Sequence, residues 1–141
     1  MEDSYQLRRF VDAQNLTGAY ENALAELRAG LKTGHWMWFI FPQVTGLGNS
    51  YMSRQFGISS VTEAQAYLRH PVLGPRLLEC TRILTEINGK SATEILGAID
   101  AMKLRSSMTL FMSAAPEEPL FREVLAHYFH GSADQETVLR L

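Results

Sequence analysis

Cysteine is nearly absent: Cys80 stands alone in 141 residues, so no disulfide within the chain can staple the fold. Long apolar runs are missing as well. The most apolar stretch, from Trp36 to Pro42, is far shorter than the roughly 20 residues that a membrane-spanning helix needs. The first ten residues carry charges where a secretory signal would place an apolar run. With the lone cysteine, this predicts a cytoplasmic protein. There is no excess of positive charge either: 13 Lys and Arg stand against 15 Asp and Glu, a formal net charge of −2. Such a chain has no global field to draw it to bulk nucleic acid or an anionic membrane, so any anion site has to be local. Repeats, low-complexity tracts and linkers are also lacking, and five prolines and ten glycines leave the chain free to form regular structure.

What is present is an ordinary globular composition, 46% hydrophobic and 20% charged, in a length suited to one domain spanning residues 1–141. The periodicity is helical. Tyr20, Leu24, Leu27 and Leu31 recur on one face of a helix that Thr17 caps and Gly34 ends. Ser60 with Glu63, Ser91 with Glu94, and Ser132 with Gln135 each have the spacing of a capping box and predict three helix starts. Two further helices are expected from about Gly74 to Ile87 and from about Asp100 to Ser113, the second stopped by Pro116. After Pro119, an apolar stripe of Phe121, Val124, Leu125, Tyr128 and Phe129 predicts a core helix closed by Gly131. No stretch alternates as a half-buried strand does. The expected fold is therefore mainly α: a single compact helical domain with a short aromatic segment and a glycine loop between helices. Trp36 to Phe41 reads equally as a buried strand or a helical turn.

That segment is the unusual part of the chain. It holds both tryptophans and runs through Pro42 and Gln43 into the loop Val44-Thr45-Gly46-Leu47-Gly48-Asn49-Ser50. Flat aromatic faces stack on nucleobases, and glycines let backbone N–H groups approach phosphate oxygens. Trp36, Trp38 and Phe41 with Gly46 and Gly48 are thus candidates to hold a nucleotide, and His35 and Gln43 bracket the apolar run as polar contacts. The same aromatics also make ordinary core filler, and the glycine spacing matches neither a dinucleotide fingerprint nor a P-loop.

The run His35-Trp36-Met37-Trp38-Phe39-Ile40-Phe41-Pro42-Gln43, then Gly46-Leu47-Gly48, His70-Pro71 and Lys103-Leu104-Arg105-Ser106-Ser107-Met108-Thr109-Leu110-Phe111, resembles domain-of-unknown-function family 1810 over nearly the whole chain. That resemblance implies a mainly helical fold and no established activity. Nothing in the sequence supports the protease-inhibitor label "calpastatin" that some members of the family carry. The order of the aromatic and glycine loop, the Ser60 to Tyr67 segment and the Met102 to Phe111 segment is also similar to that of the ADP-ribose-processing N-glycosidase superfamily. In that superfamily a hydroxyl pair precedes a glutamate that opens a helix, which Glu63 matches. Ala64, Tyr67 and His70 depart from the pattern, as does Leu110-Phe111 where a Lys-Phe pair is usual, and the missing lysine bears on phosphate contact.

An N-glycosidase needs a carboxylate beside the anomeric carbon to stabilise positive charge and orient water. Glu63 and Asp100 are the catalytic candidates. Lys103, Arg105, Ser106, Ser50 and Ser53 can hold a phosphate, and Trp36 or Trp38 can hold the leaving base. Each has a plainer explanation: Glu63 can bond back to the backbone of Ser60, Asp100 suits a helix start, and Lys103 and Arg105 suit a solvated face. The four histidines have no metal-ligand spacing, so neither metal nor cofactor is expected. Three classes of function stay open: an N-glycosidase acting on an ADP-ribose-like or phosphorylated ribosyl substrate, a non-catalytic nucleotide-binding module, and a protein-interaction domain.

Overall fold

The computed structural model describes residues 3–141. In chain order its helices are α1 (Arg8–Asn15), α2 (Ala19–Ala29), α3 (Met37–Ile40), α4 (Tyr51–Gln55), α5 (Val61–Arg69), α6 (Leu73–Glu86), α7 (Ala92–Leu96), α8 (Ala98–Ala114), α9 (Pro119–Phe129) and α10 (Gln135–Leu139). The mainly α fold expected from periodicity is the observed one. Extended pairing among the described residues is limited to a single parallel bridge between Val44 and Ile58.

Helix α8 is the axis of the core. Leu104, Ser106, Ser107, Met108, Thr109, Leu110 and Phe111 are all buried, so in its middle the helix is covered on every side. Helices α5, α7, α9 and α10 pack around it, α6 closes against α5 and α9, and α2 leans on α6. Aromatic rings link the layers. Tyr67 on α5 lies 5.1 Å from Phe10 of α1 and 5.4 Å from Phe111 of α8. Its hydroxyl accepts from the buried Gln14 amide, which also donates to the Phe39 carbonyl. Each such buried ring contributes about 1.5–3 kcal/mol. Gly74 at the start of α6 is fixed by packing: a Cβ there would overlap the Leu68 carbonyl oxygen. Cys80 is fully buried on α6, and burial pushes its thiol up to about 12.

Several helix ends differ from the sequence expectation. The α2 helix is entered through Gly18 rather than Thr17, whose hydroxyl turns back to the Leu16 carbonyl. It stops at Gly30, in the left-handed conformation, four residues before Gly34, and this leaves Leu31 outside the helix and 53% exposed. Ser91 and Glu94 form the full reciprocal capping box. Ser60 accepts from the Glu63 N–H, but Glu63 does not reciprocate, because its carboxylate is taken by Ser59 and Arg9. At α10 the cap is Asp134, which accepts from the Thr137 N–H, and Ser132 instead receives Arg105. His130 takes the left-handed position that ends α9, one residue before Gly131.

The open question at Trp36 to Phe41 resolves to a helical turn, α3, with Met37, Phe39 and Ile40 buried. After it the chain makes a loop over residues 45–57 that is pinched at its base. Thr45 N–H donates to the Ile58 carbonyl at 2.9 Å and Ile58 N–H to the Gln43 carbonyl at 2.8 Å. Arg9 of α1 holds the returning limb through the carbonyls of Gln55 and Gly57, both at 2.8 Å. The loop has the closed-neck form of a compact surface loop.

Candidate functional site

A cleft of about 430 Å³ opens between this pinched loop, α8 and the start of α10. Its size falls in the range of small-molecule sites, about 300–1,000 Å³. Trp38, Gln43, Gly46, Gly48, Ser50 and Ser53 come to it from the aromatic and glycine segment, and Lys103 and Ser106 from α8. Eight of the residues singled out in the sequence as ligand contacts therefore share one cavity, although α5, α6 and α7 separate the two segments along the chain.

The electrostatic centre of the cleft is Lys103. Its ammonium sits 3.5 Å from the centroid of the Trp38 ring, a close cation–π geometry, and 3.4 Å from Asp100. Asp100 is shared: its other oxygen pairs with Lys32 at 2.8 Å, and Lys32 lies over the Trp36 ring at 5.0 Å. Two lysines, each over a tryptophan, thus clamp one carboxylate. One face of Trp38 is already covered by the ammonium. Ser50 and Ser53 bond to each other, with Ser53 Oγ donating to the Ser50 carbonyl at 2.9 Å. The side-chain amides of Gln43 and Asn49 have no hydrogen-bond partner among the described residues.

Four further residues of chemical interest line the cleft beyond those expected from the sequence. Asp134 and Glu136 bring two carboxylates, and Ile99 and Met102 bring apolar side chains that are each 72% exposed. Asp134 Oδ2 accepts from Ser106 Oγ at 3.2 Å, from Thr137 N–H at 3.0 Å and from Thr137 Oγ1 at 2.6 Å. The Asp134 to Thr137 spacing was the available sign of this cap. Ser132 with Gln135 is an overlapping pattern that masks it. Ile99 and Met102 lie three residues apart near the start of a helix whose central apolar residues, Leu104, Met108, Leu110 and Phe111, are buried.

The remaining candidates lie elsewhere. Glu63 is 3% exposed and does not line the cleft: it pairs with Arg9 at 3.0 Å and accepts from the Ser59 N–H and hydroxyl at 2.8 and 2.7 Å. Asp100 reaches the cleft only through Lys103. Arg105 is spent on the Ser132 and Ala133 carbonyls and the Ser132 hydroxyl. Phe41 is fully buried. His35 and Trp36 line a second hollow of about 500 Å³ on the other side of α4, together with Glu26, Tyr51 and Gln55. Phe56 forms a wall of both. Burial works against the charge of Glu26, but the N–H groups of Gly34 and Thr33 and the Trp36 indole outweigh it and hold the carboxyl below its ordinary value.

Among the described residues no group of three or more His, Cys, Asp or Glu side chains is arranged to hold a metal ion. Among the same residues no helix is long and apolar enough to cross a membrane.

A mainly helical domain with a mixed aromatic and polar cleft is the class this geometry defines. Residues 4–141 match the family model described as protein of unknown function (DUF1810), and the chain belongs to that family. It is 50% identical to a conserved hypothetical protein of known crystal structure, Rv1873 from Mycobacterium tuberculosis, with a TM-score of 0.95 over 99% of this chain and 98% of that one. No curated protein matches.

Proposed function

We propose that the chain binds a small ribosyl-bearing metabolite in the cleft between the 45–57 loop and α8. The observation that carries this reading is the meeting in one cavity of Trp38, the Gly46 to Gly48 turn, the amide of Gln43, the Lys103 ammonium and the carboxylates of Asp134 and Glu136. Aromatic and apolar surface suits a base, amides suit its polar edge, and carboxylates accept from a ribose diol. Binding is the primary reading because Glu63 and Asp100, the two carboxylates proposed for N-glycosidic hydrolysis, are engaged with Arg9 and with two lysines and do not face the cavity.

Hydrolysis is a second reading, favoured by the presence of Asp134 and Glu136 in the cleft. One of them then takes the role of stabilising the oxocarbenium-like transition state and orienting water. The weaker likeness to the ADP-ribose-processing N-glycosidases supports the ribosyl chemistry without fixing the residue.

Both readings are tested by titrating ribosides and ADP-ribose against tryptophan fluorescence while products are followed by chromatography. Saturable quenching that disappears in Lys103→Met supports the cleft, and turnover lost in Glu136→Gln or Asp134→Asn assigns the chemistry. A fluorescence signal indifferent to every ligand would sink the reading.

A further inference from the structure

The charge balance of the cleft restricts which ribosyl ligand it can take, an inference that rests on the binding reading above. A diphosphate brings at least two negative charges and asks for several cations or free backbone donors. Lys103 is the cation lining the cleft, and its charge is already engaged by Asp100 at 3.4 Å and by the Trp38 face at 3.5 Å. Arg105, the second cation expected there, points away to Ser132 and Ala133. Arg140 lies over Gly46, close enough that a Cβ on that glycine would press on its guanidinium, and it contributes one positive charge at the rim. Against these stand the two carboxylates. Asp134 keeps Oδ1 free while Oδ2 is occupied, and Glu136 has no ion-pair partner among the described residues. Among the residues that line the cleft one cation, Lys103, stands against two carboxylates, Asp134 and Glu136, so the lining itself carries no excess of positive charge, and Arg54, bonded to the Asn49 carbonyl, and Arg140 stand at its rim.

The unengaged groups tell the same story. The amides of Gln43 and Asn49, the free oxygen of Asp134 and the Glu136 carboxylate are a set for hydroxyl and N–H groups. Vicinal hydroxyls donate to a carboxylate, and a base edge pairs with an amide that offers both donor and acceptor. Exposed Ile99 and Met102 supply apolar cover beside Phe56. We infer that the ligand is an uncharged ribonucleoside, held by its diol at Asp134 and Glu136, and that phosphorylated forms such as nucleoside diphosphates are discriminated against by those carboxylates.

Calorimetric titration at low salt compares four ribonucleosides, their 5′-monophosphates and ADP-ribose on the wild-type chain and on Glu136→Gln, an exposed substitution that leaves the Asp134 cap in place. The expected result is that at least one nucleoside binds about ten-fold or more tightly than its monophosphate, and that the gap narrows several-fold in Glu136→Gln. A monophosphate or ADP-ribose that binds as tightly as the nucleoside overturns the inference and leaves the ribosyl-binding reading standing. Absence of binding by every compound overturns both.

Discussion

Two carboxylates each sit in an ion-paired node, Glu63 with an arginine and Asp100 with two lysines, and the nodes differ in what they face. Glu63 lies between α5 and α1, with its side chain 4% exposed, and its acceptor capacity is used by Arg9, Ser59 N–H and Ser59 Oγ. Asp100 lies between Lys32 and Lys103, and one of these lysines lines the cleft. The first node is closed and ties α1 to the returning limb of the 45–57 loop through Gln55 and Gly57. The second is open on one side. A carboxylate with a basic partner is therefore a structural clasp or part of a cavity wall depending on where the third group points, and only the second arrangement places one of its members on the cleft.

Breaking the closed node has the largest expected effect. Arg9→Ala strands a buried carboxylate and removes four carbonyl contacts as well, a loss of about 3–5 kcal/mol. For a chain of this size that lowers Tm by on the order of 10 °C. Thermal denaturation by circular dichroism reads it, and a shift within a degree or two of zero would remove the clasp from the account. Asp100→Asn leaves two lysines facing each other and is expected to cost about 1–2 kcal/mol, less than Arg9→Ala because Lys103 retains partial access to water. It also frees the Lys103 ammonium, so unlike Arg9→Lys it changes riboside affinity several-fold in the same titration.

A smaller effect distinguishes the second hollow. Because Glu26 is held below its ordinary value of 4.5, its ionised form contributes stability that is full above that pH and is lost as pH falls through the lower folded value. Wild type and Glu26→Gln therefore differ at pH 7 and converge towards acid, and a gap that widens as pH falls would reverse the assignment. The smallest readout is the reactivity of Cys80. Buried and raised to about 12, its thiol stays unlabelled by a thiol reagent at pH 8 until denaturant opens the fold. Rapid labelling of the native chain would show that α6 opens locally.

The helical architecture was legible because α2, α6 and α9 carry apolar residues on one face at 3.6-residue spacing, and tertiary packing agrees with that pattern, whereas α8 is apolar all round its middle. The ends were less legible: αL residues such as Gly30 and His130 compete with nearby glycines for the stop, and only three-dimensional neighbours decide between them. In the cleft, the aromatic and glycine segment and Lys103 were legible from residue type. Glu63 was ambiguous because a glutamate three residues after a serine fits a cap, a catalytic acid and an ion pair equally well in one dimension. Arg9, its partner, lies 54 positions away. Asp134 and Glu136 were not legible in the sequence, since they stand at the start of a short helix whose position against α8 depends on the buried Thr137 and the Thr109 hydroxyl.

The proposed ligand site is the cleft and not the Glu63 node. Calorimetric titration of one binding riboside into wild type, Glu63→Gln and Trp38→Ala tests it most directly. The account predicts that Glu63→Gln binds within about two-fold of wild type, while Trp38→Ala loses ten-fold or more in affinity. Binding abolished in folded Glu63→Gln, with Trp38→Ala unaffected, would contradict it.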